Sequence, residues 1–119
     1  MKIKRGDIFF TDLSPVFGTE IGGMRYVVVI QNDELNDEES LNGGTVIVAP
    51  LSSNIIEVGS KTAMATISAN IPELALFPYG ILLFGIRAID TKRLKNHIGR
   101  LSDEIMAELD KNLKYALSL

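Results

Sequence analysis

A lone arginine follows two glycines in Gly22-Gly23-Met24-Arg25 and precedes an apolar run, Tyr26-Val27-Val28-Val29-Ile30. Further along, Ala49-Pro50-Leu51-Ser52-Ser53-Asn54 sets three hydrogen-bonding side chains just past a second apolar run. A guanidinium presents five N–H donors in a fixed fork that suits phosphate. A hydroxyl beside it can donate to a phosphate oxygen. Both segments fall at strand boundaries, and loops held by a rigid sheet commonly carry function. From the residues alone this points to anion binding, with phosphate the most natural anion. Plainer readings stay open: Arg25 as a surface arginine paired with Glu20, and Ser52 and Ser53 as ordinary turn residues.

Other chemistries find little support. The chain has no cysteine and one histidine, His97, so a zinc site is not expected. There is no HExxH, Walker A loop or GxGxxG, and no serine in a nucleophile elbow. His97 reads as an exposed or edge-strand residue. Five acids, Asp33, Glu34, Asp37, Glu38 and Glu39, fall in one polar span that reads as a solvated loop, not as a strand-borne metal site. Arg87 interrupts an apolar segment, where a cation is costly unless paired. It is expected to be structural, bonded to a carboxylate such as Asp90 or Asp7.

The elements that must position these residues are short. Strands are expected at 6–11, 26–31, 44–51, 61–68, 80–89 and 94–98, with loops at 16–24 and 32–43 and a turn at 90–93. Gly85 is expected to mark a bulge. Ser102 can cap a helix over 102–117, with Asp103 and Glu104 in its first turn. Ile105, Met106, Leu109 and Leu113 recur at helical spacing and form one apolar stripe. Short strands plus one terminal helix predict a small, strongly bent β-sheet or barrel. At 119 residues, 46% of them hydrophobic, the chain is expected to form a single domain, 1–119. No transmembrane run or secretory leader is expected, and the absence of cysteine agrees with a cytoplasmic protein. Net charge is −3, but unevenly spread: −6 over residues 32–86, against +1 before and +2 after. The acidic total is therefore a weak argument against a nucleic-acid partner.

Three segments bear a family likeness. The opening KRGDIFFTDLSPVFGTEIGGMRYVVVIQND resembles the N-terminal signature of the MazF/PemK toxins, from the RGD start through Gly-Gly-x-Arg to the strand ending in Gln-Asn-Asp. Residues Thr45 to Ser53 resemble the family's strand that ends in a hydroxyl pair. Ile86 to Leu94 is similar to its I-R-T-I-D-x-x-R-L. The likeness spans the chain apart from roughly 54–80. It implies a small SH3-like β-barrel with a C-terminal α-helix, acting as a homodimer. It implies a metal-independent, sequence-specific endoribonuclease that needs no cofactor, cuts single-stranded RNA and is blocked by a cognate antitoxin protein. Arg25 and Ser52 fall on the catalytic positions. Phe17, Thr19 and Glu20 fall on the loop lining the RNA site, with Ser53 beside Ser52. The chain departs from the family pattern at Tyr26, where proline is usual, at Ser52, where threonine is usual, and at Phe84-Gly85, where a polar pair is common. The alternative is an inactive protein of the same fold, either a gyrase-poison-like binder or a dimer that titrates the antitoxin.

Overall fold

The computed structural model describes residues 2–14, 22–37, 44–52, 66–72, 74 and 78–119, with only the backbone described at 66–70 and 78. Seven strands and two helices are present among them. The strands are β1 (Asp7–Asp12), β2 (Met24–Val29), β3 (Thr45–Ser52), β4 (Thr66–Asn70), β5 (Pro78–Leu82), β6 (Arg87–Asp90) and β7 (Leu94–Arg100). The helices are the one-turn α1 (Asp33–Asn36) and the terminal α2 (Asp103–Leu117). The architecture is mainly β with a C-terminal helix, as expected. Every strand pair is antiparallel, in the order β4-β5-β3-β2-β1-β7, with β6 attached to β3. Among the described residues this is a branched path with β4 and β7 at its ends, not a closed ring of hydrogen bonds. No helix there is long and apolar enough to cross a membrane.

The β-branched run of β2 explains the sheet's centre. Val27, Val28 and Val29 are all fully buried, so this strand is covered on both faces. Successive side chains point to opposite faces, and two apolar layers result. One holds Ile8, Val28, Leu51, Ile81 and Leu83 with Leu109 of α2. The other holds Phe9, Leu13, Val27, Val29, Val48, Ile89 and Leu94. Helix α2 docks on the first layer through Leu109, Ile105, Met106 and Leu113. Its start is set as the sequence suggests: the Ser102 hydroxyl accepts from the Ile105 N–H at 3.3 Å.

Two expectations need correction. The span 80–89 is not one strand with a bulge at Gly85. It is β5 and β6, separated by a 3-10 turn over Leu83–Gly85. The cause lies on β3. The Ile30 N–H donates to the Ile47 carbonyl, and the Thr91 N–H to the Gly44 carbonyl. Odd-numbered residues of β3 therefore turn their backbone groups toward β2, and even-numbered ones toward β5 and β6. Pro50 lacks an N–H on the second side, so the ladder there has a missing donor. Leu51 faces Ile81, but Val48 faces Arg87. Three steps along β3 thus match six along its partner, and the extra residues are the 3-10 turn. Secondly, the polar span 32–43 is not all loop, since α1 forms over Asp33–Asn36 with Asn32 as its cap. The strand expected at 61–68 is observed as Thr66–Asn70, its first half lying outside the described residues.

Helix α1 anchors a polar cluster. The Arg5 N–H donates to Asp33 Oδ1 at 2.6 Å, and the Asn36 amide reaches the same oxygen at 3.1 Å. Buried Gln31 and Asn36 bond each other, while Arg5 bridges the Ile30 carbonyl and Asp110 of α2. The hydrogen bond donated by the Arg5 backbone N–H, then that donated by the Asn36 side-chain amide, hold the Asp33 carboxyl below the usual carboxylate range. A depressed folded pKa stabilises the fold above the unfolded value, and that stability is lost as pH falls through the folded value. Thermal stability should therefore decline as pH drops below about 4, and Asp33→Asn should flatten the decline. Melting curves from pH 6 downward check this; identical pH profiles for the two proteins would remove Asp33 from the account.

Candidate functional site

Both residues singled out for phosphate chemistry lie inside strands, not in the loops beside them. Arg25 is the second residue of β2, and Ser52 is the last residue of β3. The pairs Val27↔Pro50, Val28↔Ala49 and Val29↔Val48 fix the register. The pairing ends at Val27 and Pro50; Arg25 lies two residues before the one and Ser52 two after the other, and the bond from Arg25 Nη1 to the Leu51 carbonyl brings the guanidinium to the residue before Ser52. Arg25 and Ser52 share the face of Val27, Val29 and Val48 by the two-residue period. The sheet thus brings together two residues well separated in the chain, at the end of its second apolar layer.

Arg25 is half-buried and tied down by main chain. Its Nε donates to the Gly22 carbonyl at 2.9 Å and its Nη1 to the Leu51 carbonyl at 3.3 Å. A guanidinium carries five N–H groups; these two bonds aim it, and they are the two its side chain makes among the described residues. Gly23 makes the approach workable. Its φ is +79°, a conformation that side chains rarely adopt, although open space surrounds it. Its carbonyl accepts from the Leu13 N–H at 2.9 Å, which clamps the start of β2 to the segment after β1. The two glycines therefore have separate tasks: one supplies the turn, and the other supplies the carbonyl that holds Arg25. The pairing of Arg25 with Glu20 cannot be placed, because Phe17, Thr19, Glu20 and Ser53 all lie outside the described residues.

Tyr26 stands where the family pattern has proline, and packing fixes it instead. Its ring lies 5.2 Å from that of Phe10 and 6.1 Å from that of Tyr79, on the face opposite Arg25. Such aromatic pairs contribute about 0.5–1.5 kcal/mol each beyond area burial. Beyond Ser52, the sheet continues to Gly80 of β5, which offers no side chain. Phe84, on the 3-10 turn, is half exposed.

Arg87 is structural in setting, but among the described residues its partner is a carbonyl and not a carboxylate. Its Nη1 donates to the Leu13 carbonyl at 3.5 Å. Among the described residues neither Asp90 nor Asp7 lies within ion-pair distance of it. Asp90 accepts from the Lys92 N–H, while Asp7 accepts from the Lys4 N–H and pairs with His97 at 3.4 Å. The register explains this: β6 runs beside β3, which turns Arg87 toward the segment closing β1. His97 is exposed on the end strand β7, as expected.

The residues around the site that sequence reasoning missed are Thr11 and Arg93. Thr11 pairs with Arg25 across β1 and β2, is fully buried, and donates its hydroxyl to the Arg93 carbonyl. The available signal was a polar residue on an apolar face, since Phe9 and Thr11 share a face. Arg93 Nη1 donates to the Asp12 carbonyl at 3.1 Å and also to the Ser14 carbonyl.

The fold and this site define a small, mainly β domain with an arginine and a hydroxyl at one edge of its sheet, and comparison with known proteins gives its family. The family model described as PemK-like, MazF-like toxin of type II toxin-antitoxin system matches residues 4–117, and the chain belongs to that family. It is 40% identical over 125 residues to Endoribonuclease EndoA of Bacillus subtilis (strain 168), covering 100% of this chain and 97% of that protein. Among solved structures it resembles MazF from Deinococcus radiodurans, with a TM-score of 0.78, 18% identity and coverage of 100% and 99% of the two chains. It also resembles an endoribonuclease in complex with its cognate antitoxin from Mycobacterial species, with a TM-score of 0.72, 17% identity and coverage of 97% and 94%.

Proposed function

We propose that this chain is an endoribonuclease toxin that cuts single-stranded RNA, with Arg25 and Ser52 at the scissile phosphate. The observation that carries the reading is the register of β2 on β3. Its last pair is Val27 and Pro50, and a tethered guanidinium and a hydroxyl follow at the same edge of an apolar layer. The 40% identity to an endoribonuclease over the whole chain supports it.

RNA carries its own nucleophile. The 2′-oxygen bonds to the adjacent phosphorus, and the bond from phosphorus to the 5′-oxygen breaks. The 2′-hydroxyl proton leaves to solvent or a base, and the departing 5′-oxygen gains a proton. The products are a 2′,3′-cyclic phosphate and a 5′-hydroxyl. The protein must orient the sugar-phosphate and stabilise charge on the pentacoordinate phosphorus. Arg25 suits the second task, because a guanidinium remains protonated and its aim is set by two carbonyls. Ser52 donates to a non-bridging oxygen. Phe17, Thr19, Glu20 and Ser53 complete the RNA surface in this reading, Phe17 by stacking an unpaired base.

The reading extends to the assembly: a homodimer in the cytoplasm, inhibited by an antitoxin protein. A related mycobacterial endoribonuclease has been solved with its cognate antitoxin. The reaction has no need of a metal or other cofactor. The test is incubation of one long single-stranded transcript with the purified protein in EDTA. Cleavage at a short recurring sequence, with cyclic phosphate ends, is the expected result. A folded protein that leaves transcripts of varied sequence intact would sink the proposal.

A further inference from the structure

The segment Ile86 to Leu94 holds two arginines, Arg87 and Arg93. Neither forms an ion pair among the described residues. Both turn to main chain, and to the same short stretch of it. Arg93 Nη1 donates to the carbonyls of Asp12 and Ser14, and Arg87 Nη1 to the Leu13 carbonyl between them. Successive carbonyls at the end of β1 are thus held by two guanidinium groups. The local structure seats the arginines there. Asp90 caps the 3-10 turn over Thr91–Arg93 by accepting from the Lys92 N–H. The buried Thr11 hydroxyl holds the Arg93 carbonyl, and Leu94 pairs with Thr11. The turn between β6 and β7 is thereby fastened to the end of β1.

The consequence lies on the other side of β1. The pairing of β1 with β2 ends at Asp12 and Met24. Past that pair, the fully buried Leu13 donates its N–H to the Gly23 carbonyl at 2.9 Å. Gly22, the residue before, supplies the carbonyl that takes Arg25 Nε at 2.9 Å. Hydrogen bonds therefore run from Arg93 and Arg87, through residues 12–14 and the Gly22-Gly23 pair, to the Arg25 guanidinium. We propose that Arg93 and Arg87 clamp residues 12–14 and so aim Arg25 for the cut. The clamp rests on the endoribonuclease reading. A displacement of about 1 Å at a catalytic group can cost roughly a hundredfold in rate, so the place of the Gly22 carbonyl matters to the chemistry. Both arginines act through Arg25 and are positioning residues.

The test pairs cleavage kinetics with NMR on the purified protein. Cleavage of a long single-stranded transcript is compared for the parent, Arg93→Met, Arg93→Lys and Arg87→Met. Leu113→Ala is the control, a change in the packing of α2 on the first apolar layer. Arg93→Met should lower kcat about tenfold to a hundredfold with KM little changed, the pattern of an interaction made only in the transition state. Arg87→Met, which loses one carbonyl partner where Arg93→Met loses two, should lower it less. Arg93→Lys should recover part of the rate, because an ammonium has donors for the same carbonyls. Leu113→Ala should lower the melting temperature and leave kcat intact. The Nε–H resonance of Arg25, identified by its loss in Arg25→Lys, reads the aim directly. Its exchange with solvent should quicken in Arg93→Met and keep the parent value in Leu113→Ala. A lowered melting temperature with kcat and Nε–H exchange unchanged would make Arg93 a structural brace and overturn the clamp. A raised KM with kcat intact would put Arg93 on the RNA itself and overturn it too. Should Arg93→Met not fold, Arg93→Lys and Arg87→Met decide on the same readouts. Either failure in a parent that cleaves RNA overturns the clamp alone. A parent that cleaves no RNA overturns the endoribonuclease reading, and the clamp's catalytic role with it.

Discussion

Arg25→Ala should abolish RNA cleavage while leaving the protein folded. Removing one preorganised donor from a developing oxyanion typically costs 10²–10³ in rate, and a charged donor on a phosphorane belongs at or above the upper end. The structural cost should be smaller. Arg25 loses hydrogen bonds to the carbonyls of Gly22 and Leu51, but it is only half-buried and water can replace it at both. A loss of about 1–2 kcal/mol is expected on that account. Arg25→Lys should rescue little, because a single ammonium cannot both bridge those carbonyls and reach phosphate with a fork. Single-turnover cleavage beside a circular-dichroism melt separates rate from stability. A folded Arg25→Ala protein that cuts within tenfold of the parent rate would remove Arg25 from the chemistry.

Phe9→Ala should cost about 3–5 kcal/mol, the range for truncating a fully buried phenylalanine. Phe9 is fully buried in the second apolar layer, against Val27, Val29 and Leu94, with its ring edge-on to His97 at 5.2 Å. Domains are typically stable by only about 5–15 kcal/mol, so this one change takes a large share. Phe10→Ala is the control. Phe10 is half-buried and packs on Tyr26 from the other face, so a loss well under that of Phe9→Ala is expected. Denaturant unfolding of the two variants checks the ranking. Equal losses would mean that the assignment of faces along β1 is wrong.

That pair shows how far the sequence could be read. Ile8-Phe9-Phe10 is plainly a strand, but three apolar residues in a row do not say which face is sealed. Only the pairing partners decide it. Val27 to Val29 were different: three β-branched residues in sequence could only be a strand covered on both sides. Helix α2 was equally plain, since its cap, first-turn acids and apolar stripe agree. The division of 80–89 into two strands was hidden, because its cause is a missing N–H at Pro50, some thirty positions earlier. The site was half legible. The chemistry of Arg25 and the hydroxyl of Ser52 could be named from residue types. Their placement at one edge of the sheet is a matter of register, which no local pattern encodes. Thr11, Arg87 and Arg93 were obscure for the same reason: each bonds to main chain that is remote in sequence.

The break in the ladder at Pro50 also bears on cooperativity. Strand β3 meets β6 over four register positions and β2 over three, but β5 over only Leu51 and Ser52. Among the described residues the β4–β5 hairpin is therefore fastened to β3 by few pairs, and α2 packs against it. Local opening favours units with few shared hydrogen bonds. Ser52 lies on the seam, whereas Arg25 belongs to the block clamped by β1. A fluctuation that lifts the hairpin takes away one neighbour of the hydroxyl and leaves the guanidinium in place. The lighter fastening of the hairpin thus bears on the surroundings of Ser52 more than on those of Arg25.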